Sequence, residues 1–497
     1  MSTPTDQQHM EKIVNLCKRR GFIFQASEIY GGLNGAWDYG ALGVELKRNL
    51  KNYWWRVMVH ERDDVVGMDG AILTHPAVLK ASGHAEGFSD LLIDCRTCKS
   101  RWRADQLVGK KGARQCPRCG SKDITEPREF NLMLETHIGS IDPRSAATYA
   151  EQAAGLTSVA SGATVESQIL ATRSDNQRLD VTRPAGEQIA LVYLRPETAQ
   201  SIFVQFKNIL EVSRKKLPFG IAQIGKAFRN EINPRNFTFR SREFEQMELE
   251  YFCRPEQGME LLEYWKEERL KFYDDIGISR SKLHVRSVPD EERAFYSKGT
   301  FDIEYDFPFG RQELEGVAYR TDYDLLQHQK ASGKSLEYFD EETKQRFVPH
   351  VVEPSAGVDR TVLALICEAY SEDQAPDEKG KMETRVVLRF HPRIAPVKCA
   401  VFPLLKNKEL LVAKAKEVFD RLRPHMFVFY DESGAIGRRY RRQDEIGTPF
   451  GITVDFETLG EKDITLRDTV TLRERDSMKQ ERVKISDLID LLSVRIA

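Results

Sequence analysis

Residues 225–252 read GKAFRNEINPRNFTFRSREFEQMELEYF. Two extended segments flank a basic loop that opens on Asn233 and Pro234, a turn-forming pair. Across residues 243–252 the side chains alternate: Met247, Leu249 and Tyr251 share one face, and Phe244, Gln246, Glu248 and Glu250 share the other. The first set is an ordinary core face. The second allows two readings. A sheet with one face in water carries glutamine and glutamate with no functional meaning. Against that, Phe244 stands among the acids, Arg229 and Glu231 lie two residues apart and so on one face, and Arg235, Arg240 and Arg242 stud the loop. Fixed guanidinium groups, an aromatic plate and fixed carboxylates suit a ligand set of a triphosphate, a purine and an ammonium group.

The chain around this stretch has 497 residues, too many for one core, so two or three domains are expected. With 41% hydrophobic and 30% charged residues it reads as a soluble globular protein. Its 74 basic and 76 acidic side chains nearly cancel, so a polyanionic partner would have to meet a local basic surface. The sequence has no apolar run of about 18 residues, and residues 1–10 are polar and lack a signal-peptide core. These features predict a cytoplasmic location and no membrane partner. Of eight cysteines, Cys17, Cys253, Cys367 and Cys399 are scattered singly in apolar patterns and are expected to be reduced core residues.

Toward the N-terminus, residues 8–21 have the pattern of an amphipathic helix, and residues 31–43, GGLNGAWDYGALG, form a glycine-rich connector. Leu46, Leu50, Tyr53, Trp54 and Val57 recur at helical spacing, and a short strand is expected around Ile72 and Leu73. Trp54 and Trp55 suit either a core or a helix packed on another subunit, where aromatics are enriched. Next comes CRTCKSRWRADQLVGKKGARQCPRCG, which begins at Cys95. Cys95 and Cys98 form one Cys-x-x-Cys knuckle, Cys116 and Cys119 a second, and 17 residues separate them. Two short turns giving two thiolates each suit a closed tetrahedral zinc site better than a redox dithiol, and the basic residues between suit contact with nucleic acid. Residues 140–188 are rich in Ala, Ser, Thr, Gln and Gly and read as a mobile insertion.

Toward the C-terminus, residues 192–200, VYLRPETAQ, lead from a strand into an apolar helix. A helix is expected between residues 254 and 285, and strands over 301–307 and 314–319. The run VPHVVEPSAGVDRTVLALIC, residues 348–367, reads as strand, turn and strongly apolar helix. Residues 371–384 are charged and read as a surface excursion. After Pro396 strands and helices alternate, which signals a separate α/β domain. Its segment RRYRRQDEIG, with Arg438, Arg439, Arg441 and Arg442, suits either a solvated helix face or an RNA footprint.

At this point the chain resembles glycyl-tRNA synthetases of the homodimeric type, within subclass IIa of the class II aminoacyl-tRNA synthetases. FRNEINPR with REFEQMELEYF is similar to class II motif 2, EPSAGVDRTVLALI to motif 3, and residues 44–76 to motif 1, which in this class builds the dimer interface. RPETAQ and ELEGVAYRTDYDL are similar to segments of the glycine enzymes. The resemblance implies an α+β catalytic domain on a mostly antiparallel sheet flanked by helices, over residues 1–394. It also implies a C-terminal α/β anticodon-binding domain at 395–497; the zinc knuckle is taken as inserted at 90–125, and the flexible insertion at 140–188, read from composition, lies outside the resemblance. The implied activity is glycine–tRNA ligation, in which glycine and ATP form glycyl-adenylate and pyrophosphate, and the glycyl group then passes to the 3′ end of tRNA(Gly). Mg²⁺ accompanies ATP, and zinc is structural.

The same resemblance assigns roles. Arg229 would hold the α-phosphate and the glycine carboxylate, Glu231 the adenine amino group, Phe244 one adenine face, and Arg360 the other face and the γ-phosphate. Arg240 would reach a terminal phosphate and Glu313 a Mg²⁺ ion. Glu197, Glu248 and Glu353, with Ser355 beside them, would surround the ammonium of glycine, and Arg320 would orient one of these acids, bind the adenylate or serve only as a salt bridge. Two positions depart from the family pattern: Ala41 where proline is usual, and Ser201 where glycine is usual. Two rivals are a non-catalytic binding protein on the same scaffold and a sister enzyme charging proline, threonine or serine. Intact motif residues speak against the first, and the three acids with RPETAQ against the second.

Overall fold

The structure, a computed structural model, describes residues 4–107, 115–138, 190–376, 380–461 and 463–497. Residues 140–188, read above as a mobile insertion, lie outside the described residues. The chain divides into one unit of residues 1–70, 197–227 and 231–497, and a second of residues 71–196 and 228–230.

In the first unit a seven-stranded sheet runs in the order Leu283–Ser287, Gly299–Phe307, Gly310–Thr321, His350–Gly357, Glu243–Cys253, Phe219–Phe228 and Val65–Gly67. The first five strands pair antiparallel, and Val65–Gly67 runs parallel to Phe219–Phe228. The mostly antiparallel sheet implied by the resemblance is present. The strand that follows the helix Ala41–Trp55 into this sheet is Val65–Gly67, whereas Leu73–Thr74 joins a small sheet of the second unit. Pattern alone favoured Ile72 and Leu73 because Val65 and Val66 make a shorter apolar run.

Alternation on Glu243–Cys253 works as expected on its apolar side. Met247, Leu249 and Tyr251 enter the main core, against Trp54 of Ala41–Trp55, Trp265 of Gly258–Asp275 and Val362 of Val358–Ala369. Trp54 is therefore a core residue. The other side is not a wet face: Gln246, Glu248 and Glu250 are 7%, 2% and 0% exposed. Helix Ala199–Ser213 covers that side of the sheet, setting Ile202, Phe203 and Phe206 against Phe219, Ile221, Phe252 and Val351. Burying each such side chain contributes about 1.5–3 kcal/mol, and this holds the cover down.

A part-buried charge cluster bolts three of the quoted segments together. Asp359, in the first turn of Val358–Ala369, accepts hydrogen bonds from Tyr39 Oη at 2.6 Å, Lys47 Nζ at 2.8 Å and the Glu245 amide at 2.7 Å. Lys47 also pairs with Glu245 at 2.7 Å, and Lys51 with Glu245 at 2.9 Å. With every member paired, the cluster satisfies the condition under which buried ions are tolerated. It fixes Arg360, the next residue in the chain.

Most of the described residues within 371–384 are exposed, as a surface excursion requires, but they are ordered as a hairpin. Tyr370–Pro376 and Met382–Leu388 form an antiparallel hairpin. Its Arg385, 2% exposed, donates to Asp373 at 2.7 Å and to Asp444 at 3.1 Å. Opposite charges on paired strands are invisible to a composition reading. Beyond the hairpin, the strands Val428–Tyr430, Cys399–Pro403, Phe450–Val454, Thr469–Glu474 and Gln480–Lys484 lie side by side in that order. Helix Glu409–Leu422 packs Leu411, Ala415, Val418 and Leu422 on this sheet, in a hydrophobic cluster separate from the main core.

The second unit holds two three-stranded sheets. In one, Ala190–Leu194 lies between Leu73–Thr74 and Leu134–Ile138. In the other, Ser89–Asp94 lies between Arg101–Arg103 and Arg128–Asn131.

Candidate active site

On the covered side of the sheet, Glu197, Glu248, Glu250, Asp324 and Glu353 gather at Arg320. Period two carries Glu248 and Glu250 to this side of Glu243–Cys253, and the adjacent strand His350–Gly357 brings Glu353 and Ser355 beside them. Glu248 accepts from Gln246 Nε2 at 2.6 Å, Ser355 Oγ at 2.7 Å and the Thr198 amide at 3.0 Å, and also from Thr198 Oγ1. Arg320 donates to both oxygens of Glu353, at 2.9 and 3.0 Å, and to both oxygens of Asp324, at 2.8 and 2.9 Å. Gln200 joins Glu197 at 2.9 Å to Asp324 at 3.0 Å, and His328 meets Gln200 at 2.8 Å. Burial, and then the nearby charge of Glu197, raises the Glu248 carboxyl above its usual range. Burial also pushes Glu353 up to about 7, even with Arg320 pulling the other way. Acids this crowded and this dry call for a compact cation.

Small side chains leave room beside them. On strand Gly310–Thr321, Gly316 pairs with Ser355 in register, and a Cβ added at Gly316 would meet nothing within 4 Å. The Tyr296 ring lies 4.0 Å from the Arg320 guanidinium and Phe203 lies 5.3 Å from it, so aromatic surfaces pack against the only cation bonded to Glu353 and Asp324 among the described residues.

The residues assigned to the nucleotide fall as follows. Arg360 donates to the carbonyls of Phe239 and Glu313, each at 3.3 Å, and rests 4.6 Å over the Phe239 ring. It also lies 3.4 Å from the Glu313 carboxylate. Arg240 lies 3.5 Å from Glu231, which is 9% exposed. Phe244 is half-buried at the start of Glu243–Cys253. Arg229 belongs to the second unit, where its Nε donates to the Pro196 carbonyl at 3.1 Å and its guanidinium lies 5.3 Å from the Phe88 ring.

The second unit also brings the four knuckle cysteines together. Each Cys-x-x-Cys makes the same turn: Lys99 N bonds Cys95 O at 2.9 Å and Gly120 N bonds Cys116 O at 2.8 Å, both with positive φ. Cys95 and Cys119 sulfurs are 3.6 Å apart, as are those of Cys98 and Cys116, and all four lie within 4.8 Å of one another.

Two family models match the chain: a tRNA synthetase class II core domain (G, H, P, S and T) over residues 187–370, and an anticodon binding domain over residues 398–495. A protein named glycine–tRNA ligase from Thermobifida fusca is 48% identical over 98% of both chains. Proteins of the same name from Treponema denticola and Clostridium acetobutylicum are each 47% identical, covering 98% and 99% of this chain and 97% and 99% of their own. The chain belongs to the glycine–tRNA ligase family. Within this glycine–tRNA ligase family member the core match ends one residue after the helix Val358–Ala369, and the second match begins one residue before the strand Cys399–Pro403.

Several residues of the acid site and of the setting of Arg360 were passed over in the sequence. Thr198 and Asp324 stand inside the quoted segments RPETAQ and TDYDL, where their neighbours drew attention instead. Phe239 stands in the loop of the opening stretch. Tyr296 carries no pattern, because a loop residue's position over Arg320 is set only by tertiary packing.

Proposed function

We propose that this glycine–tRNA ligase family member takes the ammonium of glycine at the acid site formed around Glu197, Glu248 and Glu353. The observation that supports this most is five acids converging on one guanidinium, beside a serine and an open position at Gly316. Glycine offers little to recognise except its ammonium and the absence of a side chain. A charged pit answers the first and a small one the second.

In the reaction a glycine carboxylate oxygen attacks the α-phosphorus of ATP and pyrophosphate leaves. A ribose hydroxyl of the 3′-terminal adenosine of tRNA(Gly) then attacks the activated carbonyl and AMP leaves. No covalent nucleophile from the protein is needed, only alignment and neutralisation of charge. We assign Arg229 to the α-phosphate and the glycine carboxylate, Glu231 to the adenine amino group, Phe244 and Arg360 to the two faces of adenine, and Arg240 to a terminal phosphate. Glu313 would hold Mg²⁺, which when bound offsets phosphate charge. Burial, and then the charge of Glu313, pushes Asp302 up to about 6, a crowding that a cation would relieve.

Four thiols within 4.8 Å fit a zinc ion, since sulfurs 2.3 Å from a tetrahedral centre lie about 3.8 Å apart. Its role would be structural, in a knuckle inserted at 90–125. The catalytic domain would run over 1–394 and the anticodon-binding domain over 395–497, acting in the cytoplasm. No helix among the described residues is long and apolar enough to cross a membrane. Ile29 and Tyr30, exposed just before the glycine-rich connector, and Leu33, exposed on it, support assembly as a homodimer.

Amino-acid-dependent pyrophosphate exchange tests the reading. Exchange with glycine and not with alanine, serine or proline is expected, and exchange with another amino acid alone would overturn it. About one zinc per chain and a solution mass of about twice 57.0 kDa are expected for the metal and the dimer.

A further inference from the structure

Glu250 has no role in the chemistry above, and its setting is unusual. It is 0% exposed, and neither carboxyl oxygen has a hydrogen-bond partner among the described residues. Glu248 pairs with Ser355 and Tyr251 with Val352, so the register sets Glu250 opposite Glu353 and Leu249 opposite Pro354. Proline has no amide hydrogen to give, and the ladder bonds are interrupted there.

Carboxylates directly opposite on neighbouring strands repel, and in a dry interior the two cannot both be charged at ordinary cost. Among the described residues the charged groups that act most on Glu250 are Glu353 from strand His350–Gly357, Arg320 from Gly310–Thr321, Glu248 on its own strand and Asp324 from helix Tyr323–Ser332. Arg320 is the favourable one, but its hydrogen bonds go to Glu353 and Asp324. Among the described residues no hydrogen-bond donor is left to stabilise a charge on Glu250. Burial, and then the charge of Glu353, holds its carboxyl well above the usual range, while Glu353 sits near 7.

We infer that the ammonium of glycine enters this site in exchange for a proton held by the facing carboxyls of Glu250 and Glu353. One positive charge arrives and one leaves to the solvent, so the pit keeps the same net charge whether empty or loaded. Glu250 is a positioning residue: it lets Glu353 stay aligned on Arg320 without a second uncompensated charge beside it. This inference rests on the reading of the pit as the glycine site.

The test is proton linkage in the full-length protein. Binding that releases a proton strengthens as pH rises, so the KM for glycine in pyrophosphate exchange should fall about five- to tenfold per pH unit between roughly pH 6 and 7 and level off above about pH 8. Calorimetric titration with glycine at pH 7, repeated in buffers of different ionisation enthalpy, should give about half to one proton released per glycine bound. Glu250→Gln keeps the shape, removes the proton and should cut the release by half or more. A wild-type protein that exchanges glycine with a KM and heat indifferent to pH and buffer overturns the proton exchange alone. Proton release in Glu250→Gln equal to the wild type overturns the part given to Glu250. A wild-type protein that neither binds glycine nor exchanges with it overturns the reading of the site.

Discussion

Arg320 places Nη1 2.9 and 3.0 Å from the two carboxylate oxygens of Glu353. Its other two nitrogens go to Asp324, and the three side chains are 2%, 7% and 3% exposed. Removing the guanidinium would leave two buried acids unpaired, at a cost of about 3–5 kcal/mol. Arg320→Met should therefore lower the denaturant midpoint sharply and abolish glycine-dependent exchange. Arg320→Lys keeps the charge but not the fork, and should fold while losing about tenfold or more in kcat/KM for glycine.

Gly316 tests where the substrate sits. Its register partner is Ser355, and an added Cβ meets no atom within 4 Å, so Gly316→Ala should leave the thermal midpoint within about 2 °C of the wild type. If glycine occupies that space, the added methyl should reduce kcat/KM for glycine by roughly 10-fold or more. Unchanged exchange kinetics would place the substrate elsewhere.

Lys398 carries a pH dependence of stability. Its Nζ, buried, donates to the carbonyls of Pro392 and Arg393 at 3.0 and 2.7 Å, and burial lowers its pKa to about 7. The unfolded chain keeps that proton up to about pH 10.4, so between the two values the unfolded state binds more protons. This group's contribution to stability therefore rises with pH across that window, by about 2–4 kcal/mol, and is flat below it. Urea unfolding of wild type and Lys398→Met from pH 6 to 10 should show the rise only in the wild type.

The arginines of Ile436–Ile446 separate by burial. Arg439, 2% exposed, donates to the carbonyls of Pro403 and Gly434, and Arg442 donates to Asp431 at 2.6 Å. Arg441 lies 3.6 Å from Asp444, and Arg438 is exposed. Of the four arginines along this helix only Arg439 is internal; Arg441 and Arg442 are part-exposed beside acids, and Arg438 faces outward. Arg438→Glu should weaken tRNA charging a few-fold, more at low salt, and leave pyrophosphate exchange intact. Arg439→Met should lower stability by about 1–3 kcal/mol instead.

Much of this was legible in the sequence. The twofold alternation of residues 243–252 named the side chains that share a face, because strand geometry alone sets that period. Cysteine spacing alone named a four-thiol site, since two tight turns can present only those atoms. The rest depended on contacts between distant segments. The charged hairpin at Tyr370–Leu388 became visible only when Arg385 met Asp373 and Asp444. Sequence left open whether the face holding Glu248 and Glu250 meets water or protein. Phe203 and Phe206, on a helix that begins some fifty residues earlier, decided it by covering that side of the sheet and drying it. A carboxylate's behaviour depends on what surrounds it, and for Glu250 that is Glu353, a neighbour brought in by strand register from a hundred residues away.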